Sequence, residues 1–263
     1  MSHKLLLHPW DVAHMCDIIY KRPSYNTGMS DSSVKLAAYL AHGGVASRRQ
    51  SEELILQGKV KVNGNVEKNV ATRVIPGEDR VEYQGDEISP QEEPVVLAVY
   101  KPVGVVSTVN DPDAKPTIMK FIPSQFRKYR LYPVGRLDEA SEGLILLTND
   151  GELAFHLSHP KFQVPRTYNV LISGRLSSLE MSRLVRGIPL KDGRTKPAEV
   201  EILEEDDDSQ VLQITIREGR HHQIRRMMQA LNHDVLQLIR ISHGDYQLGD
   251  LEPGKWRDET RQK

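Results

Sequence analysis

The chain has 263 residues, 38% hydrophobic and 27% charged, with a formal net charge of -1 and one cysteine, Cys16. That length allows one large domain or a small one beside a medium one, and the near-neutral charge means that any affinity for nucleic acid has to come from local clusters. A lone cysteine excludes a disulfide framework or a multi-cysteine zinc site, and the only early apolar run, Leu5-Leu6-Leu7, is too short for a signal segment or a membrane span, so a cytoplasmic location is expected.

Residues 1–30 show no sustained period. A poorly ordered extension is expected there, with Met29 a candidate for the true start. Residues 33–87 read as a compact small domain. Leu36, Leu40 and Val45 line a first helix and its exit. Ser47 caps a second helix that keeps Arg48, Arg49, Glu52 and Glu53 on polar positions and buries Leu54 and Ile55, and Gly58 stops it. Lys59-Val60-Lys61-Val62-Asn63-Gly64 is a period-two strand entering an Asn-Gly turn, with Val60 and Val62 inward and Lys59 and Lys61 outward. Arg48, Arg49, Lys59 and Lys61 form a predicted phosphate-facing surface where helix and strand pack side by side. The order Gly44-Val45-Ala46-Ser47-Arg48-Arg49, then Gly58 to Gly64, resembles the S4-type RNA-binding domain, which implies a small α/β module that docks RNA.

Residues 84–94 are polar, with two prolines and three glutamates, and a linker is predicted over 88–94. The larger domain is predicted over 95–256. Its strands fall at 95–101, 143–148, 166–172, 211–217 and 235–241, and its helices at 151–158, 179–185 and 221–231. Ser177 to Glu180 is a capping-box candidate for the middle helix. Strands outnumber helices without alternating with them, so the class is α+β and not doubly wound. The acidic run Glu204 to Asp208 reads as an exposed hairpin tip.

Two segments carry the chemistry. The first runs from Gly135 to Asp150 and sets Asp138 in a polar loop ahead of the apolar strand Leu144 to Leu147, with Arg136 two residues earlier. A carboxylate held on a core strand is a good nucleophile position, although a loop Asp taken alone usually serves a turn. The second, Arg217 to Met228, concentrates arginines around His221-His222. Neighbours on a helix point in different directions, and no third ligand has matching spacing, so no metal is expected. Arg225 and Arg226 border the apolar stripe of Ile224, Met227, Met228 and Leu231, and a guanidinium there suits pairing with Asp138 or a phosphate.

Pro133 to Asp138, Ser141 to Leu144 and Leu147 to Gly151 together resemble the signature of pseudouridine synthases of the RsuA/RluB group. Lys101 to Thr108 resembles that family's first motif, and the arginine segment its third. The resemblance implies a mixed, mostly antiparallel catalytic domain that isomerises a uridine of ribosomal RNA without cofactor or metal. It implies catalytic roles for Asp138, for Tyr168 as the residue stacking on the base, and for Arg225 as the contact of Asp138, with Arg226 as the fallback. Arg136 and Arg220 are placed with the substrate-binding residues, Arg220 as a phosphate contact. Ile224 and Leu238 form an apolar wall that keeps the site dry. Attack at sugar C1′ and at base C6 both remain open. The expected partner is ribosomal RNA or a pre-ribosomal particle, the expected state a monomer, and the favoured substrate large-subunit rRNA. A small-subunit enzyme, a non-catalytic RNA-binding or ribosome-assembly protein and, more remotely, RNA-glycosidic hydrolysis are the alternatives.

Overall fold

The structure, a computed structural model, describes residues 33–89 and 93–260. The expected N-terminal extension with Cys16 and Met29 lies outside the described residues, as do residues 90–92 of the expected linker. The small N-terminal unit comprises β1 (Val34–Lys35), α1 (Leu36–His42), α2 (Arg48–Leu56), β2 (Val60–Val62), β3 (Asn65–Glu67), β4 (Arg73–Val74), β5 (Val81–Tyr83) and β6 (Asp86–Glu87). Strands β3-β2-β5-β6 form an antiparallel sheet, and β1 pairs with β4. Leu36, Leu40, Ile55, Val60, Val74 and Val81 fill its core. Ser47 caps α2 in a full capping box with Gln50. Asn63 (φ 52°) and Gly64 (φ 82°) both take positive φ, as the two central residues of a type I′ hairpin turn require.

The larger unit contains β7 (Val96–Lys101), β8 (Tyr132–Pro133), β9 (Glu142–Thr148), α3 (Gly151–Ser158), β10 (Arg166–Ser173), α4 (Ser178–Arg186), β11 (Pro189–Leu190), β12 (Gly193–Arg194), β13 (Glu199–Glu205), β14 (Ser209–Ile216), α5 (Gln223–Gln229), β15 (Val235–His243), β16 (Tyr246–Gln247) and β17 (Trp256–Asp258). The main sheet runs β13-β14-β10-β15-β9-β7-β17, with β8 added on β9 and β16 on β15. Every pairing is antiparallel except β15 with β9, which is parallel. The α+β reading therefore holds. Strands β7 and β9 are buried on both faces: Leu97, Val99, Ile145 and Leu147 enter one core, and Ala98, Leu144 and Leu146 the other. That explains their continuous apolar sequences. Ser177 and Glu180 form the predicted capping box, and the acidic run sits at the β13–β14 tip. No helix among the described residues is long and apolar enough to cross a membrane.

One row of cross-strand neighbours organises the functional face: Lys101 faces Gly143, Gly143 faces Arg240, and Arg240 faces Tyr168. Gly143 is what lets β9 and β15 meet there. Its φ is +105°, and a Cβ at that position would stand 2.4 Å from the Arg240 carbonyl oxygen.

Candidate active site

The loop between β8 and β9 carries Asp138, and its backbone is held at every step. Ser107 Oγ donates to Leu137 O (2.9 Å) and accepts from Leu137 N (3.0 Å). Ser141 N closes a turn onto Asp138 O at 3.0 Å, and Gly104 N binds Glu139 O at 2.9 Å. Arg225 Nη2 donates to Ala140 O at 3.0 Å. A side chain mounted on such a loop keeps its position without help from substrate. Asp138 is half-buried and lines a cleft of about 360 Å³ with Arg136, Tyr168, Arg220, His221, His222, Ile224, Leu238 and Arg240. A second cleft, lined by residues 106–108 and 110–112, meets the first at Arg136, Leu137, Asp138, His221 and His222. Glu139 faces that side, bound to Lys115 at 2.8 Å.

Asp138, Tyr168, Ile224, Leu238 and Arg136 thus come together as the motifs led one to expect. Tyr168, Ile224 and Leu238 are buried apart from the faces they present to the cleft, and Arg136 is exposed at its mouth. The arginines of the third motif require correction. Arg225 forms no ion pair with Asp138. It bonds Ala140 O and Val235 O (3.1 Å) and so secures the loop from behind. Arg226 makes a two-pronged contact with the Asp192 carboxylate, at 2.9 and 3.1 Å, and does not line the cleft. Arg220 is consumed by Gly193 O, Arg194 O and Glu218, which leaves it little to offer a phosphate. The hairpin of β11 and β12, to which both Arg220 and Arg226 are tied, carries no sequence signal that links it to this segment.

The histidine pair also differs from expectation. His222 sits at φ 50°, ψ 34°, ahead of α5, which starts at Gln223. The two imidazoles therefore stack at 3.8 Å, and His222 Nε2 lies 3.4 Å from Asp138 Oδ1. Donor atoms of Asp138, His221 and His222 fall within 4.8 Å of one another, so the helix-neighbour argument against a metal does not apply here.

Two cations that sequence reading left unassigned lie beneath the site. Arg240 is 1% exposed, donates from Nε to Leu144 O at 2.7 Å, and leaves Nη2 buried with no partner. The period-two strand that put Leu238 on the cleft face puts Arg240 there as well, which was the available signal. Lys101 is fully buried, with Nζ on Pro102 O (2.9 Å) and Glu139 O (3.4 Å). Burial pushes its pKa down to about 8, against the opposing pull of Asp138, Glu139 and Glu142. Burial and the charges of Arg240 and Arg166 hold the pKa of His243 down to about 3. It is a neutral imidazole at working pH.

The depressed Lys101 has a measurable consequence. Between pH 8 and 10.5 the folded chain releases this proton while the unfolded chain keeps it, so stability rises with pH across that window. The unfolding free energy of the parent relative to Lys101→Met is expected to gain about 3 kcal/mol from pH 7 to pH 10.5. Denaturant titrations at the two pH values measure this, and a constant difference would refute a charged, buried Lys101.

The family profile described as RNA pseudouridylate synthase matches residues 95–230, and the S4 domain profile matches residues 34–79. The chain belongs to the RNA pseudouridylate synthase family. It is 41% identical over 228 residues to the ribosomal large subunit pseudouridine synthase B of Bacillus subtilis, covering 86% of this chain and 92% of that one. It is 40% identical over 229 residues to an uncharacterized RNA pseudouridine synthase of Aquifex aeolicus, covering 86% and 90%. A crystal structure of a pseudouridylate synthase superposes with a TM-score of 0.60 at 33% identity, over 86% of this chain and 96% of that one. This pseudouridine synthase therefore joins an S4 RNA-binding domain to a catalytic sheet whose cleft contains Asp138 and Tyr168.

Proposed function

We propose that this synthase isomerises one uridine of ribosomal RNA, in the large subunit, acting in the cytoplasm as a monomer on rRNA or a pre-ribosomal particle, with Asp138 as its nucleophile. One observation carries the assignment of Asp138. It is the cleft carboxylate left with a free oxygen edge on a fully anchored loop, whereas Glu218, the other cleft carboxylate, is taken up by Lys196 N, Gln223 and Arg220. A single carboxylate not engaged by neighbouring groups suits an isomerisation and not the two-carboxylate chemistry of standard glycosidases.

The N1–C1′ bond must break, the base must turn, a C5–C1′ bond must form, and the C5 proton must then leave while N1 takes one up. Tyr168 stacks the flipped base, and Ile224 and Leu238 exclude water. As N1 leaves the sugar, negative charge spreads over the uracil ring and its carbonyl oxygens. The guanidinium of Arg240, desolvated beside Tyr168 at the floor of the cleft, stabilises that charge through its field. Arg225 acts indirectly, by positioning the Asp138 loop. Arg240→Lys, which keeps the charge but loses the fork, is expected to lower kcat by roughly 10²-fold with KM little changed. Single-turnover conversion at saturating RNA measures this, and a purely KM effect would remove Arg240 from the chemistry.

One relative, the Bacillus subtilis synthase named for the large subunit, supports the substrate assignment. Pseudouridine mapping of rRNA from cells with and without the protein tests it. Loss of one large-subunit pseudouridine is the expected result. Loss at a small-subunit position would reassign the target, and an unchanged rRNA map would sink the rRNA assignment.

A further inference from the structure

At the C-terminal end of α3, where the turn Pro160–Phe162 follows, a cluster of rings stands in solvent. Phe155 is 47% exposed and Phe162 37%. Their rings meet edge-on at 5.7 Å, with His159 4.7 Å from Phe155 and His156 4.3 Å from Phe162. Lys161 Nζ lies over both phenyl rings, at 4.9 and 4.6 Å. A single exposed apolar residue needs no explanation. Exposed rings interleaved with a lysine and two imidazoles have the composition of a surface that stacks unpaired bases and tracks their phosphates.

Its position agrees. Gly151 and Phe155, four residues apart, share one side of α3, and His159 follows directly as its C-cap. At the Gly151 end, a Cβ would stand 3.6 Å from Arg48 Nη2, so the basic start of α2 abuts the start of α3. At the other end, Ser158, His159 and Pro160 line the active cleft. The ring cluster therefore lies along α3, roughly 12 Å long, which leads from the S4 domain to the rim of the cleft.

We infer that this corner is a stacking platform for the single-stranded nucleotides flanking the target uridine, with Lys161 leaving the ring faces to meet a phosphate. The inference rests on RNA as the substrate and adds a contact surface outside the cleft. Phe155→Ala/Phe162→Ala in the full-length protein should weaken binding of a labelled single-stranded oligouridine by roughly 10- to 100-fold. The melting temperature and binding to a blunt RNA duplex should stay unchanged. Phe155→Trp should keep the affinity, and its indole emission should change when oligouridine is added. Undiminished oligouridine binding by the double variant would overturn the platform, as would equal weakening for duplex or an indole emission that stays constant at saturation. In each of those cases a parent protein that still converts uridine leaves the RNA reading standing. A parent that neither binds oligouridine nor converts uridine in RNA would sink both.

Discussion

Asp138→Asn is expected to lower pseudouridine formation by about four orders of magnitude or more, while RNA affinity and melting temperature stay near those of the parent. The substitution keeps the shape of the side chain and a hydrogen-bonding atom toward His222, 3.4 Å away. It leaves untouched the loop bonds, which come from Ser107, Gly104, Ser141 and Arg225 through backbone atoms. What it removes is the anionic oxygen that the proposed nucleophile role requires, and an amide does not replace that. Conversion of target RNA, measured beside equilibrium binding of the same RNA, separates the two effects. A variant that still makes pseudouridine would end the nucleophile assignment.

Gly143→Ala is expected to cost at least about 3 kcal/mol of stability and most of the activity. Two penalties combine at this position. The backbone stands at φ +105°, and the added Cβ would lie 2.4 Å from Arg240 O and 2.6 Å from Arg240 N. Both clashing atoms belong to a strand backbone inside the sheet, so no side chain can swing away. Strands β9 and β15 have to separate, disturbing the row that holds Lys101, Arg240 and Tyr168. Gly64→Ala is the control, because Gly64 has φ +82° and nothing within 4 Å of the built Cβ. It should cost about 1 kcal/mol from backbone strain alone. Urea titrations of the two variants give the comparison, and equal costs would refute the close-approach argument.

Elements with a strong local code were legible in the chain. Ser47 and Ser177 announced capped helices, Asn63-Gly64 a hairpin, and the unbroken apolar runs of β7 and β9 strands buried on both faces. Asp138, Tyr168, Ile224 and Leu238 could be marked as a group through motif resemblance, and they do line one cleft. Helix phase at the arginine segment was not legible. A left-handed His222 delays α5 to Gln223, and that local backbone choice sends Arg225 to the loop carbonyl, Arg226 to Asp192 and both imidazoles to one side.

By itself, the sequence determined the element types and the α+β class, because periodicity, caps and turn residues act over a few neighbours, whereas Tyr168, Ile224 and Leu238 were joined to Asp138 only by what the motif resemblance implies. The tertiary structure decided which cations lie at the cleft unspent by other partners. Arg240 and Lys101 reach it through cross-strand neighbours far apart in the chain, and Arg220 and Arg226 are drawn away by a hairpin near residue 192. Whether a guanidinium is free or spent depends on which carbonyls and carboxylates packing brings within about 3 Å of it, and spacing along a chain carries no record of that.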